Sequence, residues 1–388
     1  MRLMHSSDWH IGRRLHGAVL ESQLDEVLGA LVEQLAADAV DVLLVAGDVF
    51  DHAAPSAAAY RQLDRLLRAV RATGVAVVLI PGNHDSAARL GFQSGFASAA
   101  GVHVLGDAER LDVPVELADA DGPVLIYGVP FLEPALLRRD DPSAGVTGQA
   151  TAMRWAMDRI RADIDDRTGE GARPPRSVVL AHSFVAGVTG GDSERDITAG
   201  GVDLVPLDVF TGVDYVALGH LHSPSVLAEG VRYSGAPVHY SFTEAGNARG
   251  SWLVDLGPDG LDAVAWRPLP VPRPARTVTG TLEDVLARPA GEGERDDDWL
   301  RVILTDAVRP MDAMRRVQAR YPHALVLEHR PPAVLPRESR YATATATLSD
   351  RERIAAFLGH VRDGAGPDDA ERALIDGVLA ELDAGERS

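Results

Sequence analysis

The 388-residue sequence predicts an α/β fold, and three observations carry that expectation. Short, continuous apolar runs recur through the first 245 residues: VDVLLVA (40–46), VAVVLI (75–80), PVLIYGV (123–129), SVVLA (177–181) and YVAL (215–218). Runs of strand length with no polar face belong to strands buried on both sides. Amphipathic helical stripes separate several of them, as in βαβ units. The loops that follow are rich in Asp, Asn and His, and an open α/β sheet binds ligands outside the carboxyl ends of its strands.

The elements follow in order. RLMH (2–5) is a short opening strand, and Leu20, Leu24, Val27, Leu28, Leu31 and Leu35 recur at helical spacing, which predicts a helix over 20–36. Pro55–Ser56 opens a second helix with Leu63, Leu66, Leu67 and Val70 on one face. A short helix near 86–99 leads to VHVL (102–105). Residues 138–176, charged and bounded by Gly and Pro, read as an insertion over the sheet edge or face, with a helix over 150–164. A Gly-rich polar loop (186–201) joins strands 177–181 and 215–218, and short β segments follow at 225–228, 231–234, 251–255 and 262–267.

PLPVPRPARTV (268–278) cannot continue a sheet interior and marks a domain boundary. One β-α-β-like unit comes next: LRVIL (300–304), a helix near 310–320, and ALVLEH (324–329). Two amphipathic helices form the tail, one carrying Ile354, Phe357, Leu358 and Val361, the other Leu374, Ile375, Val378, Leu379 and Leu382. The expected domains are 1–270, 271–340 and 341–388.

Composition narrows the class. With 46% hydrophobic and 24% charged residues, the chain has material for a sizeable core and reads as soluble and globular. No apolar stretch is long enough to span a bilayer, and Arg2 enters a strand at once, which reads as no signal peptide. The absence of cysteine excludes disulfides and thiolate metal sites and fits the cytoplasm. Any metal must be held by His, Asp, Glu or Asn. The net charge of −19 argues against a broadly basic nucleic-acid surface. It leaves a nuclease open, because clustered carboxylates add negative charge that bound cations offset locally.

The chemistry lies in five loop bursts: Asp8 and His10 in SSDWH; Asp48 and Asp51 in AGDVFD; Asn83, His84 and Asp85 in PGNHD; His182 in AHS; His220 and His222 in GHLH. Asp8 and His10, like His220 and His222, are two residues apart, so in extended backbone each pair points the same way. Gly47 and Gly82 precede Asp48 and Asn83 and allow close backbone approach or positive φ. Taken singly, each burst has an ordinary reading as a turn, a helix cap or a core histidine. Together they form a sulfur-free set of N and O donors suited to Mn, Fe or Zn more than Ca. Asp8, His10, Asp48, Asn83, His182, His220 and His222 are too many for one ion and suit two ions sharing a carboxylate. Such a pair clamps the attacking and leaving oxygens of a phosphoryl displacement.

These motifs, in this order, resemble the calcineurin-like metallophosphoesterase signature, and MRLMHSSDWHIGRRL, AGDVFDHAAPS and IPGNHDS resemble its meiotic-recombination-eleven nuclease group. The resemblance is strong over 1–245 and weaker beyond. It implies a four-layer αββα sandwich with a small C-terminal α/β capping domain and a helical tail. It further implies one metal on Asp8, His10, Asp48 and His222, and a second on Asp48, Asn83, His182 and His220. His84 would stabilise the transition state or protonate the leaving group. The implied cofactors are two divalent ions, manganese first, with magnesium, iron or zinc as alternatives. The implied function is 3′–5′ exonuclease action on duplex DNA and endonuclease opening of hairpins. The implied partners are DNA, an SbcC-type coiled-coil ABC ATPase docking on the tail, and a second copy of the chain through helices 56–72 and 86–99. A cytoplasmic, nucleoid-associated location goes with that reading.

Asp51 and Asp85 read either as braces for ligand imidazoles and loops or as plain turn carboxylates. Arg13, Arg14 and Arg89 read either as a cationic rim for phosphates or as solvated loop charges, and His52, His239 and Tyr240 are further candidates for the cleft. Two other functions use the same residues: a small-molecule phosphodiesterase or phosphatase, and a non-catalytic scaffold.

Overall fold

The computed structural model describes residues 1–169, 173–186, 204–289, 291, 294–332, 348–362 and 364–385. The first half runs β1 (Arg2–Ser6), a small hairpin of β2 (Arg14–Leu15) and β3 (Ala18–Val19), α1 (Glu21–Ala37), β4 (Val42–Ala46), α2 (Ala57–Ala72), β5 (Ala76–Ile80), α3 (Ala87–Leu90), α4 (Ser94–Ala99) and β6 (Val102–Val104). It continues with β7 (Val115–Asp119), β8 (Gly122–Val129), α5 (Pro134–Asp140), α6 (Gln149–Arg167), β9 (Arg176–His182) and β10 (Tyr215–Gly219). Then come β11 (Ser225–Ala228), β12 (Val231–Tyr233), β13 (Gly250–Gly257), β14 (Gly260–Pro268), β15 (Ala275–Gly280), α7 (Leu282–Ala287), β16 (Trp299–Leu304), α8 (Ala313–Arg320), β17 (Ala324–His329), α9 (Asp350–Val361) and α10 (Asp369–Gly385).

Two six-stranded sheets form the body, in the orders β14-β13-β1-β4-β5-β6 and β11-β12-β10-β9-β8-β7. In the first, β1, β4, β5 and β6 are parallel and β13 pairs antiparallel with β1. In the second, β8, β9, β10 and β12 are parallel. The period-two alternation of the buried runs assigns the layers. Val42, Leu44 and Ala46 of β4 meet Val178 and Leu180 of β9 between the sheets. Leu43 and Val45 face outward onto α1 and α2, and Val179 and Ala181 face outward onto α6. The architecture is therefore the four-layer αββα sandwich. Ser56 caps α2 by accepting from the Ala59 N–H at 3.2 Å.

Several local expectations change. The helix expected near 86–99 is two short helices, because Gln93 takes a left-handed φ of 61° between them. Within residues 138–176, expected over a sheet edge or face, Ala152, Met153, Ala156, Met157 and Ile160 of α6 build the outer core of the second sheet. The unit after the Pro-rich stretch has an additional strand and helix, β15 and α7, so its sheet is β15-β16-β17 around Val278, Val285, Leu300, Val302 and Val317. The edge strand β15 starts at Ala275, directly after Pro274, which suits an edge rather than an interior.

The chain falls into two compact units, Met1–Leu304 with Pro310–Glu328, and Thr305–Arg309 with His329–Ser388. In the second, Ser349 and Glu352 form a capping box at α9, and Arg362 pairs with both oxygens of Glu371 at 2.9 and 3.0 Å. The GGDSERD loop lies almost wholly within 187–203, outside the described residues, as do the side chain of Leu382 and the boundary expected at 341. No described helix is long and apolar enough to cross a membrane.

Candidate metal centre

Strands β1, β4 and β5 lie side by side in one sheet and β9 and β10 in the other, and backbone hydrogen bonds stitch their loops together. The N–H of Asp8 donates to the Gly47 carbonyl at 3.0 Å and that of His10 to the Asp48 carbonyl at 2.9 Å. The His84 N–H donates to Asp48 Oδ1 at 2.9 Å, and the His220 N–H to Asp8 Oδ1 at 3.0 Å. Asp8, His10, Asp48 and His220 all hold positive φ, at 53°, 41°, 48° and 111°. The expectation that Asp8–His10 and His220–His222 share a direction in extended backbone is therefore wrong. β1 and β10 end before these residues, and left-handed turns aim the side chains instead. Such strained backbone gathers where the surrounding fold over-determines it.

Glycine permits the crowding. A Cβ on Gly47, whose φ is +91°, would run into the His182 ring, and one on Gly82 would collide with the Asp48 carboxyl. Gly47 thus serves both expected purposes, and Gly82 serves close approach alone.

The side chains converge. His10 Nε2 lies 3.0 Å from His222 Nε2 and 3.5 Å from Asp48 Oδ2. On the other side, Asn83 Oδ1 lies 2.9 Å from His182 Nε2 and 3.2 Å from His220 Nδ1. His182 Nε2 and His84 Nε2 approach Asp48 Oδ2 at 3.6 and 3.9 Å. Three overlapping groups have the spacing to hold a cation: Asp8, His10 and His222; His10, Asp48 and His84; Asp8, Asp48 and His182. Every member is buried.

Backbone carbonyls lie behind two of the rings. His182 Nδ1 faces the Ala46 carbonyl at 2.9 Å, and His84 Nδ1 faces the Asp51 carbonyl at 2.6 Å. A carbonyl only accepts, so His84 Nδ1 carries a hydrogen. His182 Nε2 faces a second acceptor, Asn83 Oδ1 at 2.9 Å, and a cation in the crevice would leave the His182 hydrogen on Nδ1. Burial lowers the pKa of His182 to about 3. Burial, reinforced by His222, holds His10 well below its ordinary value too. Both imidazoles are thus neutral, the form that binds metal. Burial raises the Asp48 carboxyl, a penalty that a nearby cation offsets. Imidazoles and carboxylates buried around one point fit a divalent-cation centre.

The remaining candidates divide. Asp85 braces loops: its oxygens accept from the N–H groups of Val49, Phe50 and Gly82 at 2.9, 2.8 and 2.9 Å, and among the described residues none of its hydrogen bonds goes to an imidazole. Burial and the neighbouring Asp48 charge push it up to about 7. Asp51 Oδ1 lies 3.7 Å from both His10 Nδ1 and Arg13 Nη1. Arg13 reaches the crevice, 3.4 Å from His10 Nδ1 and over the Tyr240 ring at 5.0 Å. Arg14 and Arg89 bond the carbonyls of Gly17 and Ala53. His52 is exposed, and His239 turns to the Asn247 carbonyl at 3.3 Å.

Sequence reading missed Glu244 and Arg249. Both are buried, and Glu244 Oε1 lies 3.1 Å from His222 Nδ1 while Oε2 accepts from Arg249 Nη2 at 2.7 Å. No spacing in YSFTEAGNARG marks them, because their partners arrive from other elements.

Residues 1–224 match the calcineurin-like phosphoesterase family, and residues 271–360 match the type 5 capsule protein repressor C-terminal domain. A Rhodobacter capsulatus protein, named as the D subunit of the nuclease SbcCD, is 38% identical over 324 residues, covering 76% of this chain and 78% of that protein. A dimetal phosphatase structure from Danio rerio matches with a TM-score of 0.40 and 14% identity, over 69% of this chain and 96% of that one.

Proposed function

The chain belongs to the calcineurin-like phosphoesterases, in the group of SbcCD nuclease D subunits, and on that premise we propose that it is a two-metal DNA nuclease. The observation that carries the reading is the set of three overlapping, buried His/Asp groups around one crevice. Asp8, His10, Asp48 and His222 would hold one ion; Asp48, Asn83, His182 and His220 would hold the other. Bound there, the ions supply Lewis acidity that activates water and offsets charge on the phosphoryl oxygens. The donor set, all nitrogen and oxygen, suits manganese, iron or zinc. Manganese comes first by the resemblance to the nuclease group, with magnesium, iron or zinc as alternatives.

The chain's own residues do the rest. His84, held by the Asp51 carbonyl, presents Nε2 where it can bond the scissile phosphate or carry a proton to the leaving oxygen. Asp85 keeps the two loops in register through three backbone N–H groups. Arg13 and Arg14 line an open cleft of about 390 Å³ with His16, Tyr240, Phe242 and an Arg301–Glu328 ion pair, and the guanidinium groups of Arg13 and Arg14 would hold flanking phosphates. A local patch of this kind reconciles nucleic-acid binding with a net charge of −19.

The domain reading is 1–270 for the nuclease, 271–340 for the cap and 341–388 for the tail. Exposed Phe357, Val361, Leu374 and Val378 on α9 and α10 would dock the coiled coil of an SbcC-type ATPase. Phe92, between α3 and α4, and Phe96, on α4, are 75% and 82% exposed and support a homodimer. The location in this reading is the cytoplasm, on the nucleoid when DNA is engaged.

The test is digestion of end-labelled duplex and hairpin DNA with Mn, comparing the intact chain with Asp48→Ala. Cleavage that survives both the substitution and a chelator overturns the reading. Hydrolysis of a chromogenic phosphodiester with no DNA cleavage would favour a small-molecule phosphodiesterase.

A further inference from the structure

His222 is gripped from behind. Its Nδ1 lies 3.1 Å from Glu244 Oε1, and a carboxylate only accepts, so Nδ1 carries a hydrogen and Nε2 is the nitrogen turned to the crevice. The other Glu244 oxygen accepts from Arg249 Nη2 at 2.7 Å and from the Tyr240 N–H at 3.2 Å. Arg249 donates in turn to the carbonyls of His222 at 2.5 Å and Ala236 at 3.1 Å. Glu244 and Arg249 are each only 2% exposed.

A buried ion pair is a poor source of stability, since desolvation offsets most of the attraction. Its geometry here is directed: one carboxylate oxygen is spent on the guanidinium and a backbone N–H, the other on an imidazole. The far side of the crevice is built differently, for His182 is oriented by the neutral carbonyl of Ala46. Either partner orients the ring and fixes its tautomer; the charged carboxylate also raises the imidazole's basicity toward a cation by more than a neutral carbonyl does.

We propose that Glu244, held by Arg249, is a positioning residue for one half of the centre only. The subsite on Asp8, His10 and His222 depends on it for affinity, and the subsite on Asn83, His182 and His220 does not. The proposal rests on the two-metal reading above.

The test is calorimetric titration of Mn into the metal-free full-length chain. The Glu244→Gln/Arg249→Gln double variant removes both charges together, so no unpaired ion is buried, and keeps an amide oxygen toward His222. One site should weaken about 10-fold while the other keeps its affinity, and Glu244→Ala should weaken the same site by up to about 100-fold. Against a His222→Ala background, the Glu244 change should have no further effect on Mn affinity, because the residue acts through that imidazole. A merely structural role would weaken both sites, or add to His222→Ala, and either result overturns the proposal. So does a double variant that binds two ions as the parent does. If the parent itself takes up fewer than two Mn, the two-metal reading fails first and the proposal falls with it.

Discussion

Asn83 Oδ1 and His182 Nε2 lie 2.9 Å apart, and with the His182 hydrogen on Nδ1, toward the Ala46 carbonyl, both atoms would present lone pairs to a bound ion. Without a cation the neutral ring has one hydrogen for two acceptors, and one of the two contacts is unfavourable. Chelation should therefore lower the unfolding temperature, and Mn should restore it. At a free concentration of 100 times Kd, each ion contributes about 2.7 kcal/mol. Differential scanning fluorimetry with EDTA and with added Mn checks this; identical melting in both would count against a metal centre.

His84 is held by a backbone carbonyl at its Nδ1, so replacing it should leave the neighbouring donors in place. His84→Gln should keep Mn uptake and unfolding temperature near those of the parent. Turnover on duplex DNA should fall by roughly 10²–10⁴-fold, the span of a lost general acid. A variant with full nuclease rate and full metal uptake would remove His84 from the mechanism.

Two glycine substitutions should move stability in opposite directions. A Cβ on Gly219 would overlap the Ala46 carbonyl oxygen across the sheet-to-sheet contact, and Gly219→Ala should lose about 3 kcal/mol or more. Gly29 lies on the exposed face of α1 with nothing within 4 Å of an added Cβ. There alanine should gain about 0.5–1 kcal/mol. Urea unfolding of the two variants separates the cases.

His5 predicts an acid limb. Its Nδ1 bonds the Tyr215 hydroxyl at 2.9 Å and its Nε2 the Leu218 carbonyl at 3.1 Å, and burial lowers its pKa from 6.5 to about 3. The unfolded chain binds this proton below pH 6.5 and the folded chain does not until about pH 3. Stability is thus fully present above 6.5 and falls as the pH drops toward 3, by up to about 1.4 kcal/mol per pH unit. Burial of His182 and His239 acts in the same direction. The diagnostic is a slope smaller by one proton in His5→Gln, read from urea unfolding between pH 7.5 and 5; an unchanged slope would mean that His5 is not the titrating group.

The body of the fold was legible because its strands are buried on both faces and need no partner to be seen. VELAD at 115–119 was not, since β7 is an edge strand with mixed polarity. Helix α6 was legible as a helix over a sheet edge or face, but not which sheet it covers, because amphipathicity shows a face and not its partner. At the crevice, residue types were legible and directions were not: Asp8, His10, Asp48 and His220 turn on left-handed backbone that local spacing does not encode. Glu244 was invisible for a further reason, since its meaning depends on His222 and Arg249 meeting it in space.

The crevice takes Asp8, Asp48 and Asn83 from one sheet and His182, His220 and His222 from the other. It does not exist within either sheet alone. Ions seated there would act as rivets through the sandwich, so metal affinity doubles as a gauge of how well the two halves are docked. A substitution far from any donor, in the apolar layer that Leu44 and Leu180 share, would then register first as weakened metal uptake, before any change in secondary structure.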